Sequence, residues 1–136
     1  MAPIKSTLEG SFGVIIADPP WSFNDKLTMS DVKRGAASNY PTLNTKVLGQ
    51  LGHEINMLAR EDALLALWCP SALFEDGLKI ARQWGFTPKG IYTWVKTAKD
   101  ETTYLNEADE DTKLACGMGR YFRGATEHAI IAVKGS

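Results

Sequence analysis

The stretch FGVIIADPPW, residues 12–21, decides the fold of this chain. Its short apolar run predicts a buried strand that ends at Asp18. Pro19 and Pro20 follow, and because proline has a fixed φ and no backbone N–H, the chain must leave the sheet there in a stiff turn. Trp21 then lies just beyond the carboxyl end of the strand, which is the edge of an open α/β sheet where ligands bind.

This turn holds an acid, two rigid backbone carbonyls and a large aromatic side chain together, a combination that suits methyl transfer to the exocyclic amine of a base. Such an amine is a poor nucleophile, because its lone pair is delocalised into the ring, and it needs acceptors for its two N–H bonds. Asp18 can accept one and the carbonyl of Pro19 or Pro20 the other. A carboxylate also favours a nearby sulfonium methyl donor, and Trp21 offers a face to the base. The alternative is a structural turn whose acid only caps neighbouring groups.

Composition indicates one soluble domain. The 136 residues can bury a real core, and the apolar fraction of 44% and charged fraction of 23% are ordinary for a globular chain. A net charge of −1 argues against a dedicated nucleic-acid binder, so any nucleic-acid contact must be local or come from a partner. The sequence shows no signal peptide and no membrane-spanning run. Two distant cysteines indicate a reducing compartment, and we expect a cytoplasmic protein without a metal site.

The rest of the chain predicts alternating helices and strands, and hence an α/β fold with a mostly parallel sheet. An unbroken apolar run such as ALLALW is typical of a parallel strand that is covered on both faces. The expected elements are, in chain order, a strand at 12–17, a mobile loop at 22–39, a helix capped by Asn44, a strand at 63–68, a helix from Ser71 to Trp84 ended by Gly85, a strand ending at Lys96, a mobile loop at 97–119 and a strand at 129–133 after Glu127.

Lys96 ends the third strand, on the same edge as Asp18 if the strands are parallel. A lysine at a strand end is often simply solvated, whereas at a ligand-binding edge it can hold a carboxylate or a phosphate. A basic and aromatic cluster, residues 120–123, precedes the last strand.

These segments, in this order, resemble the adenine methyltransferases named after the catalytic subunit of the eukaryotic mRNA adenosine methyltransferase, which carry a D-P-P-W signature. The resemblance spans about Phe12 to Gly135. The segments that carry it are ADPPW at 17–21, YPTL at 40–43, ALLALW at 63–68, WGF at 84–86, TWVK at 93–96 and GMGRYFRGATEHAIIAVKG at 117–135.

The resemblance implies a Rossmann-like fold, S-adenosylmethionine as cofactor, and methyl transfer to the N6 amine of adenine in nucleic acid, with DNA favoured over RNA for a small member of bacterial or phage type. The resemblance is also compatible with a dimer. By position, it assigns the catalytic motif to Asp18, Pro19, Pro20 and Trp21, cofactor contacts to Asp18, Lys96 and Glu127, and substrate contacts to Tyr40, Trp21 and Arg123.

The chain departs from the family in its length. Members of the family place the catalytic half first and follow it with a half that holds much of the cofactor, whereas this sequence stops at Ser136. We therefore expect residues 1–136 to form a single, partial methyltransferase domain with an incomplete sheet. One alternative is a non-catalytic family fragment or subunit that binds nucleic acid or a partner methyltransferase. The intact Asp18 argues against this alternative, whereas the short chain argues for it. Another is an unrelated α/β domain.

Overall fold

The computed structural model describes residues 8–22, 43–96 and 125–135. Two of the expected substrate contacts, Tyr40 and Arg123, lie outside these ranges, as do the two expected loops apart from Ser22. The described elements are, in chain order, β1 (Phe12–Ala17), α1 (Thr45–Gln50), α2 (Gly52–Leu58), β2 (Ala59–Cys69), a 3₁₀ turn (Ser71–Leu73), α3 (Phe74–Gln83), β3 (Thr87–Val95) and β4 (Thr126–Lys134).

The four described strands form one mixed sheet in the order β1-β2-β4-β3. β1 pairs with β2 in parallel, whereas β4 lies between β2 and β3 and is antiparallel to both. The mostly parallel sheet expected from the sequence is therefore a mixed one, in which β1, β2 and β3 share a direction and β4 opposes them. As a result, β1, β2 and β3 end at the edge of the sheet where β4 begins.

The hydrophobic core lies between the helices and one face of this sheet. Alternate residues of β2 are buried, including Leu65 and Leu67 at 0% exposure, and Ile130 of β4 pairs with Leu67 on the same face. Ile80 and Trp84, from α3 and its C-terminus, complete this cluster. Each large apolar side chain buried in this way contributes about 1.5–3 kcal/mol of hydrophobic stabilisation.

The opposite face of the sheet is less covered by the described residues than the sequence predicts. Val14 and Ile16 of β1 are 60% and 72% exposed, and Tyr92 and Trp94 of β3 are 57% and 53% exposed. Trp68 of β2 shares this face and packs edge-on against both β3 aromatics, with ring centroids 6.1 and 6.2 Å apart. Coverage on both faces, expected from the unbroken apolar run, is therefore partial for β2, whose residues on this face are half-buried. The cited side chains of β1 and β3 on this face are exposed.

The helices differ from expectation at their ends. Asn44 caps α1 as predicted, since its side chain accepts a hydrogen bond from the Val47 N–H at 2.9 Å. The single helix expected after it is broken at Leu51 into α1 and α2. Ser71 begins a 3₁₀ turn and does not cap α3, which starts at Phe74 without a side-chain cap. Gly85 ends this helical segment with φ of +87°, as the sequence predicts.

In the three described ranges, no helix combines the length and the apolar composition that crossing a membrane requires.

Candidate active site

A cavity of about 400 Å³ opens at the edge of the sheet where β1 and β2 end and β4 begins. Its position follows from the topology, because the antiparallel β4 brings its first residues beside the last residues of β2. Among the described residues, those that line it are Asp18, Pro19, Trp21, Trp68, Cys69, Pro70, Ser71, Thr126, Glu127 and His128.

The turn after β1 presents Asp18 and Pro19 to this cavity. Asp18 is exposed, so its carboxylate is accessible to a ligand. The carbonyl of Pro19 accepts a hydrogen bond from the Trp21 N–H at 2.9 Å, and that of Pro20 accepts one from the Leu43 N–H at 2.8 Å. Each carbonyl oxygen keeps a second lone pair. Of the two prolines, only Pro19 lines the cavity, so its carbonyl is the better placed acceptor for a ligand.

Trp21 anchors the same turn. It is only 4% exposed, its indole N–H donates to the Trp68 carbonyl at 2.8 Å, and its backbone forms a parallel bridge with Leu43. The side chain thus joins the turn after β1 to the end of β2. Trp21 contributes to the cavity wall, but the protein covers almost all of its surface.

Lys96 and Glu127 form an ion pair at the same edge of the sheet. The Lys96 backbone N–H also donates to the Ala125 carbonyl at 2.7 Å, which fixes the end of β3 against the start of β4. β4 begins at Thr126, earlier than the sequence indicates, so Glu127 lies within the strand opposite Trp94. Both charged side chains stay partly exposed, at 38% and 45%, and can still contact a ligand.

His128 is a cavity residue that the sequence did not single out. Its Nδ1 lies 3.1 Å from the Thr93 hydroxyl and its Nε2 lies 3.1 Å from the Thr126 hydroxyl. Because each hydroxyl can donate or accept, both ring nitrogens are satisfied in either neutral tautomer. The imidazole therefore links β3 to the first residues of β4 beside the cavity.

Cys69 also lines the cavity, but its thiol has low reactivity. Its pKa is raised to about 11, mainly by burial; a backbone hydrogen bond from Gly77 opposes this rise, and the nearby Asp76 carboxylate adds a smaller increase. The Sγ donates to the carbonyls of Leu73, at 3.2 Å, and Pro70, at 3.4 Å. At neutral pH the thiol is protonated and is not a nucleophile.

The structure brings most of the predicted site residues together. Asp18, Pro19, Trp21 and Glu127 line one cavity, whereas Lys96 does not line it but forms an ion pair with Glu127. Pro20 does not line the cavity; it supports the turn through Leu43. The described residues contain no cluster of three or more side chains able to hold a metal ion.

Trp68, Cys69 and His128 were not predicted as site residues. The signal for Trp68 and Cys69 was available in the sequence, because Pro70 ends β2 as Pro19 ends β1, and neighbouring parallel strands end at one edge. No local pattern identified His128, because its place at this edge depends on the antiparallel direction of β4.

The MT-A70 family model matches residues 12–136 of the chain. The type II methyltransferase M.MunI of Mycoplasma sp is 26% identical over 139 residues, which cover 91% of this chain and 52% of that protein.

Plant and animal proteins are similar at the same level. An N(6)-adenosine-methyltransferase MT-A70-like protein of Arabidopsis thaliana is 27% identical over 130 residues, covering 93% of this chain and 15% of its own length. The human N(6)-adenosine-methyltransferase catalytic subunit METTL3 is 25% identical over 127 residues, covering 93% and 18%. The chain thus spans about half of M.MunI and less than a fifth of the other two proteins.

Proposed function

The chain belongs to the MT-A70 family, and on that premise we propose that it transfers a methyl group from S-adenosylmethionine to the N6 amine of adenine in nucleic acid. The observation that carries the proposal is the turn after β1, where Asp18 and Pro19 line one cavity. The relatives whose names specify a reaction are N(6)-adenosine methyltransferases, which supports adenine as the target base.

The two acceptors have the chemistry that this reaction requires. The N6 amine of adenine carries two N–H bonds, and its lone pair becomes available when both are directed at acceptors and the nitrogen pyramidalises. Asp18 accepts one N–H and Pro19 the other. Since both acceptors sit on a turn that is already held by hydrogen bonds to Trp21 and Leu43, they need little reorganisation, which is how preorganised dipoles lower a barrier. Trp68 supplies an aromatic wall beside them.

The residues around the cavity also suit the methyl donor. S-adenosylmethionine, when bound, supplies a methyl group on a positively charged sulfur and carries an amino acid end. The Asp18 carboxylate favours a cation nearby. Lys96 would hold the carboxylate of the amino acid end and Glu127 a donor group, because both keep exposed surface beside the cavity. The Rossmann-like arrangement expected for such donor-binding proteins is part of this proposal.

DNA is the substrate we propose ahead of RNA. The names of the relatives, a type II methyltransferase and N(6)-adenosine methyltransferases, state neither DNA nor RNA, so both polymers belong in the assay. Of the substrate contacts expected from the resemblance, Tyr40 and Arg123 remain proposals.

A second candidate is a non-catalytic subunit that binds a partner methyltransferase. The observation that favours it is the sheet face opposite the helices, where Val14, Ile16, Tyr92 and Trp94 are each more than half exposed among the described residues. Monomeric proteins seldom leave so many large apolar side chains together in water.

Donor binding followed by methyl transfer tests the proposal. Calorimetry with S-adenosylmethionine is run on the wild-type chain, on Asp18→Asn and on the control Glu54→Gln, which removes a charge from the exposed start of α2. Radiolabelled methyl transfer to adenine-containing DNA and RNA follows. We expect the wild type and the control to bind the donor and methylate, and Asp18→Asn to lose about 10²–10³ in rate. A folded wild type that binds no donor supports the second candidate.

A further inference from the structure

Trp21 lies where a substrate-stacking residue was expected, yet its surroundings indicate another role. A ring that stacks on a base must offer an open face, and only 4% of the surface of Trp21 is accessible. It packs in the hydrophobic core with Leu48 and Leu65. Its one polar atom is already used, since Nε1–H donates to the Trp68 carbonyl at 2.8 Å.

This hydrogen bond takes the place of one that the backbone of β1 has no means to make. The parallel pairing of β1 with β2 ends at Ala17 and Leu67. The next donors along β1 would include residues 19 and 20, but both are prolines and have no N–H. The carbonyl of Trp68, one residue beyond the last pair, therefore depends on a donor from elsewhere. The indole of Trp21 supplies that donor.

The backbone of the turn is fixed by the same residue. The Trp21 N–H donates to the Pro19 carbonyl at 2.9 Å, and the bridge between Trp21 and Leu43 is accompanied by a hydrogen bond from the Leu43 N–H to the Pro20 carbonyl. The indole of Trp21 thus ties the turn to the end of β2, and its backbone N–H binds the Pro19 carbonyl within the turn.

We infer that Trp21 is a positioning residue, which sets the place of Asp18 and the Pro19 carbonyl through its indole hydrogen bond to Trp68. The inference rests on the proposed function for its catalytic consequence, but its structural part stands alone. Trp68 carries the effect to the cavity wall, because it lines the cavity and its ring packs against Tyr92 and Trp94. The two acceptors, Asp18 and the Pro19 carbonyl, thus keep a fixed position relative to the cavity wall at Trp68.

The sequence offers a matched control. Trp84 is also buried, at 2% exposure, and its indole N–H also donates to a backbone carbonyl, that of Leu48, at 2.8 Å. Trp84 does not line the cavity. Substituting either tryptophan with phenylalanine keeps an aromatic ring and removes one equivalent hydrogen bond, but only Trp21→Phe affects the turn.

The experiment measures two quantities in the wild type, Trp21→Phe and Trp84→Phe. The first is amide hydrogen exchange at Leu43, which reports the closure of the turn. We expect Trp21→Phe to speed this exchange by about tenfold relative to Trp84→Phe, as the loss of one hydrogen bond implies. The second is methyl transfer to adenine-containing DNA and RNA, where we expect kcat to fall by about 10- to 100-fold in Trp21→Phe with little change in KM.

The outcomes separate the inference from the proposed function. A Trp21→Phe variant with wild-type Leu43 exchange and wild-type kcat overturns the inference. An aromatic ring at this position would then be enough, without the indole hydrogen bond. A wild type that methylates neither polymer overturns the proposed function, while Leu43 exchange still decides the structural role of Trp21. If Trp21→Phe does not fold, the indole N–H of Trp21 in the wild type is followed by NMR: exchange as slow as that of Trp84 supports the inference, and unprotected exchange overturns it.

Discussion

The Lys96 ammonium pairs with the Glu127 carboxylate between the end of β3 and the start of β4, at the edge of the sheet where Asp18 follows β1. Both side chains are more than a third exposed, so solvent screens their attraction and the pair contributes at most about 1 kcal/mol to folding. Joining β3 to β4 and, under the proposed function, contacting the methyl donor are therefore two separate roles for this pair.

A charge swap separates these two roles. Lys96→Glu combined with Glu127→Lys restores an ion pair with its polarity reversed, so the melting temperature should stay near that of the wild type. Because the ligand would then meet a charge of the opposite sign at positions 96 and 127, we expect calorimetry to show at least about tenfold weaker S-adenosylmethionine binding. Wild-type affinity in the double variant would mean that the pair only joins β3 to β4.

Two aromatic side chains in contact at the cavity, Trp68 and Tyr92, are expected to be energetically coupled. Trp68 and Tyr92 meet edge-on with ring centroids 6.1 Å apart. A double-mutant cycle of Trp68→Leu and Tyr92→Leu in urea should give a coupling free energy of about 0.5–1.5 kcal/mol beyond loss of buried area. As a comparison cycle, Trp68→Leu with Ile91→Leu should give almost none, because Ile91 lies on the other face of the sheet. Equal coupling in the two cycles would contradict a specific ring contact.

The strand β1 and the turn after it could be predicted from the sequence, because both depend on local chemistry, and the cavity lies beside this turn. An apolar run forms a strand and two prolines end it regardless of what lies far away. The same holds for Asn44 and Gly85, whose capping roles depend on a few neighbouring backbone atoms.

The direction of β4 could not be predicted from the local sequence in the same way. Residues 126–134 form a strand whichever way they run, and their place between β2 and β3 is decided by long-range pairing. His128 was missed for this reason, since only the antiparallel register brings it opposite Cys69 and beside Thr93. The burial of Trp21 was missed because a motif identifies a residue type, whereas exposure depends on residues distant in sequence, such as Leu48 and Leu65.

Close packing at Gly77 predicts a sensitive position in α3. A Cβ added there would meet the Cys69 Sγ at 2.6 Å and the Ile130 Cδ1 at 2.8 Å. Alanine at this position gains about 1 kcal/mol in helix propensity, but we expect overpacking to outweigh it and Gly77→Ala to lose about 1–2 kcal/mol in net stability. Urea denaturation measures the difference.

Gly49→Ala is the control for this substitution, because Gly49 is also helical and its added Cβ would meet mainly the movable Gln83 side chain. It should be neutral or stabilising. A Gly77→Ala variant as stable as Gly49→Ala would show that α3 has room to shift away from the sheet.

The buried thiol of Cys69 predicts a pH dependence of stability at alkaline pH. Its pKa is raised from the ordinary value of 9.0 to about 11 in the folded chain, mainly by burial. The folded state therefore holds this proton more tightly than the unfolded state, so the contribution to stability is fully present below about pH 9 and is lost as pH rises towards about 11. Two units of pKa correspond to about 2–3 kcal/mol.

Denaturation of two chains from about pH 8 to about pH 11 isolates this effect. Both carry Cys116→Ser, so that Cys69 is the one remaining thiol, and the second also carries Cys69→Ala. Tyrosine and lysine titrate in the same range, but they do so in both chains and cancel in the difference. We expect the chain with Cys69 to lose about 2 kcal/mol more than the chain without it. Parallel pH profiles would mean that the thiol ionises in the folded state as readily as in water, and that the end of β2 is open to solvent.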